Sequence, residues 1–375
     1  MSAAHEKIMV IKIGSSTLVD ESGKLDRGYI ASLAEQIAAL REAGWKPVIV
    51  SSAAIACGLE ALGIEKRPTD MPSLQAAASV GMNELMNAYG RAFSAYGILT
   101  SIILITRHTT ANRDSYLHAR DTLERLLELD VVPIINENDT ISVEQIRFGD
   151  NDTLAALVSC LIKAHTCVIF SDIDGLYTAN PFLDKQAKII PEVNRITPEI
   201  MNLAGGSTST VGSGGMITKI RAARVLMLAG IKMVICQGKR VESLIDIACN
   251  KSVGTTFIGK EEQHDITPRK LWIALGDKAK GTLVVDQGAK RALVSQGSSL
   301  LAVGVLSVEG LFTSNDIVDI KDEQGYLFAR GRVSASSSEL ELAKGRSQQE
   351  IKNNDLLAHL ASKPIIHRDE LVVFE

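Results

Sequence analysis

The feature that most narrows what this chain can fold into is an alternation repeated through its first two thirds. Short aliphatic, β-branched runs lie at 8–13, 47–50, 98–105, 131–135, 166–171 and 232–235. Between them are segments whose apolar residues recur at helical spacing, as in Ile30, Leu33, Ala34, Ile37 and Leu40, where Gly44 supplies a stop. Further helical stretches fall at 119–129, 153–164 and 219–229. Strands that are apolar along their whole length are buried on both faces, and strands separated by helices pair in parallel. The pattern predicts an α/β fold over residues 1–260, a three-layer α/β/α sandwich around a mostly parallel sheet.

The character then changes. Residues 261–275 open on a polar stretch carrying Pro268 and read as a linker. Residues 276–375 hold short apolar runs separated by glycines and polar turns, with one helix near 289–296, and predict a small β-rich domain. Two domains fit a length of 375 residues, which exceeds one ordinary core.

Composition removes several classes. With 46% hydrophobic and 22% charged residues the chain is a packed globular protein, and no apolar run approaches the roughly 20 residues that span a bilayer. A net charge of -4 and 4% aromatic content argue against a global nucleic-acid field or a base-stacking platform, leaving only a local patch open. The five cysteines are scattered and odd in number, without a C-x-x-C pair, so neither a disulfide framework nor a structural zinc site is expected. The N-terminus lacks a secretory pattern, and the expected location is the cytoplasm.

The unusual residues lie where strands end, which is where open α/β sheets bind ligands. Lys12-Ile13-Gly14-Ser15-Ser16 joins a strand lysine to a turn whose amides can face phosphate. Ser52, in Ser51-Ser52-Ala53-Ala54, fits either a helix N-cap or a contact to a substrate carboxylate. Asn136-Glu137-Asn138-Asp139 and Gly149-Asp150-Asn151-Asp152 carry more hydrogen-bonding groups than a turn and one cap require. They suit a ligand with an ammonium, a hydroxyl or a metal-bound phosphate. Ser171-Asp172-Ile173-Asp174-Gly175 follows another strand, but its spacing fails as a calcium loop. Gly212-Ser213-Gly214-Gly215-Met216-Ile217-Thr218-Lys219 is neither a Walker A loop nor a dinucleotide fingerprint, yet it is glycine-rich and reaches a lysine at a helix start. No histidine or activated nucleophile stands in these motifs. Phosphoryl transfer needs neither, because it rests on positioning and charge neutralisation, and an ionised carboxylate acceptor needs no general base.

In this order the motifs resemble the amino-acid kinase family, and within it the members that phosphorylate the γ-carboxylate of glutamate. The resemblance rests on Val10 to Ser16, Asn136 to Asp139, Gly149 to Asp152, Asp174 to Thr178 and Gly212 to Lys219, and covers nearly the whole chain. The tail, with Gly297 to Leu301 and Gly304-Val305, resembles the PUA domain that bacterial members of this subgroup append.

The resemblance implies transfer of the terminal phosphate of ATP to L-glutamate as the first step of proline synthesis, with Mg²⁺ arriving on ATP rather than on protein side chains. It also implies proline as an inhibitor and a homo-oligomer. Lys12 and Lys219 would neutralise the moving phosphoryl group and Asp152 would orient them. Ser52, Asp139, Asn151 and Asn136 would bind the amino acid. The nucleotide would lie against Lys12, Gly14, Ser15, Ser171, Asp172 and the stretch Ser213, Gly214, Gly215, Met216, Ile217, Thr218 and Lys219. The alternatives are a kinase of another amino-acid carboxylate and an RNA-binding regulator acting through the PUA-like domain. Where the family has Ser-Gly-Ala, this chain has Ser52-Ala53-Ala54; a methyl group there crowds a ligand unless φ is negative.

Overall fold

The computed structural model describes residues 7–106, 113–141, 151–205, 215–259, 266–275 and 279–374. They form two compact units divided between residues 265 and 266. In the first unit the strands are β1 (Lys7–Ile13), β2 (Trp45–Val50), β3 (Thr100–Ile105), β4 (Val132–Glu137), β5 (Thr166–Ser171), β6 (Glu192–Val193), β7 (Lys232–Gln237) and β8 (Thr255–Phe257). Its helices are α1 (Ser15–Leu18), α2 (Arg27–Glu42), α3 (Ala54–Ala61), α4 (Met71–Ser94), α5 (Arg113–Glu128), α6 (Asn151–Leu161), α7 (Pro198–Gly205), α8 (Met216–Leu228) and α9 (Ser243–Ala248).

The eight strands make one sheet in the order β3-β4-β2-β1-β5-β7-β8-β6. All pairings from β3 to β7 are parallel; β8 departs from the pattern by running antiparallel to β7. Strand order reverses at β1, whose neighbours are β2 on one side and β5 on the other. The carboxyl ends of β2, β1 and β5 therefore open onto a crevice, the usual ligand position in such sheets.

Side-chain alternation on β1 determines what faces each helix layer. Met9, Ile11 and Ile13 enter a core cluster shared with Leu33 and Ile37 of α2, Cys57 of α3, Tyr89 and Phe93 of α4 and Leu244 of α9. Lys12 therefore points to the other face, and its ammonium meets Asp152 of α6. One strand thus anchors the core with odd positions and delivers a lysine with an even one.

Helix α4, 24 residues long, has no counterpart in the segments assigned from the sequence. Its start is well marked: Asp70 caps it by accepting from the Ser73 amide at 2.9 Å, and Pro72 stands in the first turn. It crosses α3 with backbones almost touching. A Cβ added at Gly81 would lie 1.8 Å from the Ala54 carbonyl oxygen, and one at Gly58 would lie 1.7 Å from that of Ala77. Only glycine permits this approach. Because α3 begins directly after residues 51–53, the crossing sets where that loop sits.

The second unit has its own core around Leu283, Phe312, Ile320 and Phe328. Its five-stranded mixed sheet has the order β10-β9-β11-β12-β13, where β9 is Gly281–Val285, β10 Val305–Gly310, β11 Ile317–Lys321, β12 Leu327–Arg332 and β13 Leu371–Val373. The single helix expected here is corrected by the structure. Besides Gln287–Gln296 there are helices at Ser337–Ala343 and Gln348–Lys352, each opened by a Ser/Glu capping box. The stretch read as linker also holds a helix, Pro268–Leu275, with Leu271 and Ile273 fully buried. Proline at the first helical position is compatible with a helix, because no amide is required there. Among the described residues no helix is long and apolar enough to cross a membrane.

Gly81→Ala forces the α3–α4 crossing apart, so we expect a loss of about 1–3 kcal/mol or more, read as a lower Tm in thermal unfolding. An unchanged Tm would mean the crossing relaxes without cost.

Candidate active site

The centre of the crevice is a fully buried carboxylate held between two lysines. Asp152, in the first turn of α6, has no solvent exposure, and Lys12 and Lys219 are 7% and 5% exposed. Lys12 Nζ stands 2.8 Å from Asp152 Oδ1, and Lys219 Nζ stands 3.2 Å from Oδ2. The Thr218 hydroxyl donates to Oδ2 at 2.8 Å and to the Gly215 carbonyl at 2.7 Å. Three separate elements, β1, α6 and the start of α8, therefore converge on one side chain. Burial alone pushes the Asp152 carboxyl up; the two ammonium charges and the hydrogen bonds from Lys12 and Thr218 outweigh it and hold the group well below the usual carboxylate range. Two cations around one anion leave a net charge of about +1 in a site closed to water, which suits a phosphate.

On the strand side, Gly14 leaves open the space over Lys12: a Cβ there would sit 3.4 Å from Nζ. Ser15 is exposed beyond it. The Ser171 hydroxyl donates to Asp172 Oδ1 at 3.0 Å, and the Gln237 side-chain amide donates to the Asp172 carbonyl at 3.2 Å. Gly215 precedes α8 in an extended conformation, leaving the first amides of Met216 and Ile217 at a helix start that can face an anion. Ser213 and Gly214 lie outside the described residues, as do Gly149 and Asp150.

On the other side Asn151, one residue before Asp152, joins the ends of two strands, β2 and β4. Its amide donates to the Ser51 carbonyl at 2.8 Å, the Ser52 hydroxyl at 2.7 Å and Asn136 Oδ1 at 3.3 Å. The capping role considered for Ser52 is therefore not the one it plays. Ala53 occupies the N-cap position of α3, without a side-chain cap bond, and Ser52 is turned to Asn151. Ala53 has φ +75°, so the condition under which its methyl group would be harmless is not met. Asn136 is 3% exposed, and among the described residues its Nδ2 has no hydrogen-bond acceptor, although it lies next to Asn151. Buried donors left this way are costly and rare, and a ligand oxygen would relieve this one.

Asp139, two residues past β4, is half-buried. Loss of hydration pushes its carboxyl up to about 6, with the charge of Arg67 pulling it part of the way back. The sequence reading included Ser51 in a strand-end motif without a role of its own and had no signal for Tyr89; their hydroxyls lie 3.0 Å apart beneath the 51–53 loop. Among the described residues no cluster of three or more His, Cys, Asp or Glu could hold a metal ion.

Comparison with known proteins fixes the class. The family model described as "Amino acid kinase family" matches residues 7–237, and the PUA domain model matches residues 281–354. The chain belongs to the amino acid kinase family, with a PUA domain following the catalytic fold. It is 42% identical over 367 residues to the glutamate 5-kinase of Caldanaerobacter subterraneus subsp. tengcongensis, covering 98% of both chains. It is 43% identical to that of Geobacter sp. strain M21, covering 98% of this chain and 97% of the relative. The glutamate 5-kinase of Moorella thermoacetica is 41% identical over 373 residues, covering 100% of this chain and 98% of its own.

Replacing Asp152 with Asn removes the charge that holds two buried ammoniums together. Breaking such a pair costs about 3–5 kcal/mol, and unfolding in urea at neutral pH should show a loss of that order. The sign with pH follows from a depressed carboxyl: the stabilisation is complete above the unfolded-state value near 3.8 and is lost as pH falls below it. In Asp152→Asn the acid limb of the stability curve should flatten. A variant with wild-type stability and acid limb would remove Asp152 from this role.

Proposed function

We propose that this protein transfers the terminal phosphoryl group of MgATP to the γ-carboxylate of L-glutamate, giving L-glutamyl 5-phosphate and ADP. The observation that carries the reading is the buried Lys12–Asp152–Lys219 cluster between two groups of polar strand ends. Full-length similarity to proteins named glutamate 5-kinase supports the choice of acceptor. In the step itself a γ-carboxylate oxygen of glutamate bonds to the γ-phosphorus as the bond to the β,γ-bridging oxygen breaks. ADP leaves with that electron pair, and no proton has to move.

In this reading Lys12 and Lys219 neutralise charge on the equatorial and leaving oxygens, and Asp152 keeps the two ammoniums from repelling each other out of position. Gly14, Ser15, Ser171, Asp172 and the stretch from Ser213 to Lys219 border the nucleotide. Ser52, Asn136 and Asn151 face the amino acid, and Asp139 pairs with its α-ammonium. Magnesium enters as part of the substrate MgATP, bound mainly by phosphate oxygens and water. Inhibition by proline as a pathway end product, a cytoplasmic location and self-association belong to the same proposal. The edge strand β3, with exposed Ile102 and Leu104 and with Leu99 exposed just before it, offers a surface for that association.

The test is ADP release from MgATP with and without L-glutamate, with hydroxylamine present to trap an acyl phosphate. Glutamate-dependent ADP release together with hydroxamate is expected; no dependence in a folded, nucleotide-binding protein would overturn the acceptor. Lys219→Ala should lower kcat by about 10²–10³-fold, the scale of losing one transition-state donor, while leaving ADP affinity nearly unchanged.

For Asp139 the form that binds a cation is the carboxylate, which predominates above about pH 6. Log kcat/KM for glutamate should therefore fall by about one per pH unit below that point. In Asp139→Asn the value should be low at every pH and lack that limb. A limb retained in Asp139→Asn would assign it to another group.

A further inference from the structure

Two tyrosines outside the crevice, Tyr89 of α4 and Tyr29 of α2, are buried in one core cluster and send their hydroxyls to opposite halves of the site. The Tyr89 hydroxyl lies 3.0 Å from Ser51 Oγ, and both residues are fully buried. Ser51 is also fixed at both ends of its backbone: its amide donates to the Ile135 carbonyl at 2.8 Å, and its carbonyl accepts from Asn151 at 2.8 Å. The Tyr29 hydroxyl donates to the Gly238 carbonyl at 2.9 Å, and the Gly238 amide donates to the Ser171 carbonyl at 2.8 Å. Lys239 closes this second contact, with Nζ 3.1 Å from the Thr17 carbonyl and 5.5 Å from the centre of the Tyr29 ring.

Neither hydroxyl is needed to fill space, since phenylalanine has nearly the same volume. Each makes a hydrogen bond next to a strained or tightly enclosed backbone, Tyr89 through the Ser51 side chain and Tyr29 directly to the Gly238 carbonyl. Ala53, two residues after Ser51, sits at φ +75° and 6% exposure in the same cluster as Tyr89. A non-glycine residue persists there only where its surroundings over-determine it. Gly238 is enclosed so closely that a Cβ would stand 2.7 Å from Thr17 Oγ1 and 3.1 Å from Phe170 Cβ. A hydrogen bond from a rigid helix to each loop supplies the missing constraint.

We propose that Tyr89 and Tyr29 are positioning residues with separate duties. Tyr89 holds the 51–53 loop and with it the amino-acid half, and Tyr29 holds the end of β7 against Ser171 and with it the nucleotide half. The assignment of halves rests on the proposed function; the propping of each loop does not.

The test uses the full chain with Tyr89→Phe, Tyr29→Phe and the control Phe93→Leu, a cluster residue with no hydroxyl. Tyr89→Phe should raise KM for glutamate about threefold to tenfold, with KM for MgATP and kcat nearly constant. Tyr29→Phe should do the reverse. Phe93→Leu should lower Tm without separating the two KM values. Amide hydrogen exchange reads the propping without catalysis: Tyr89→Phe should speed exchange at 51–54 and not at 238–240, and Tyr29→Phe the opposite.

A wild-type protein without glutamate-dependent turnover would defeat the proposed function while the exchange pattern still decides the propping. In an active protein, parallel changes in both KM values, or exchange that rises equally in both segments, would overturn the separate duties. So would tyrosine variants indistinguishable from wild type.

Discussion

Everything at this site depends on one carboxylate kept ionised where water cannot reach it. Asp152 has no exposed surface, and a lone charge so placed would take up a proton instead. Lys12 and Lys219 prevent that, and Asp152 in turn allows two ammoniums to share a small buried volume. Asp152 is the shared partner of both lysines, so its loss leaves two buried ammoniums facing each other, whereas loss of one lysine leaves a neutral pair. The three residues come from distant parts of the chain, so the cluster forms only when β1, α6 and α8 are docked. Folding therefore delivers the site already charged and dry, the condition under which fixed charges act most strongly on a reacting phosphate.

The two helix layers have unequal roles. The layer of α6 and α8 supplies Asp152 and Lys219, which meet Lys12 from β1. The layer of α2, α3 and α4 supplies rigidity, through the glycine-lined α3–α4 crossing and the hydroxyls of Tyr29 and Tyr89. The strained Ala53 lies between the crossing and the Asn151 hub, where neighbours on every side hold it. Precision at the amino-acid side thus derives from packing that touches no substrate.

The parallel body of the sheet, β1 to β5 and β7, was legible in the sequence because those strands are largely apolar, and Lys12 stood out as a charge inside such a run. Strands β6 and β8, short and carrying Glu192, Thr255 and Thr256, were missed. The motif order carried the family. Helix α4 was missed because Ala77, Ala78 and Gly81 interrupt its buried face between Leu74 and the larger Leu85, Tyr89 and Phe93, which weakens the apolar period, although Asp70 and Pro72 marked its start. The two late helices were signalled by Ser336 with Glu339 and Ser347 with Glu350, local capping pairs that an expectation of β structure passed over. Ser52 illustrates the deeper limit. Its type fits a cap or a ligand contact, and only the fold, by placing Ala53 at the cap position and bringing Asn151 to 2.7 Å, excludes the cap. The Tyr89–Ser51 pair joins positions 38 residues apart, which no local pattern reveals.

The most direct test of the central claim compares binding of ADP with binding of ADP plus aluminium fluoride and glutamate, a mimic of the phosphoryl group in flight, by calorimetry. If the Asp152-bridged lysines act on the transition state, wild type should bind the mimic far more tightly than ADP, and Lys219→Ala should lose most of that difference while its affinity for ADP alone stays close to wild type. A Lys219→Ala variant that keeps the full enhancement would contradict the account, leaving the buried cluster as a device of stability alone.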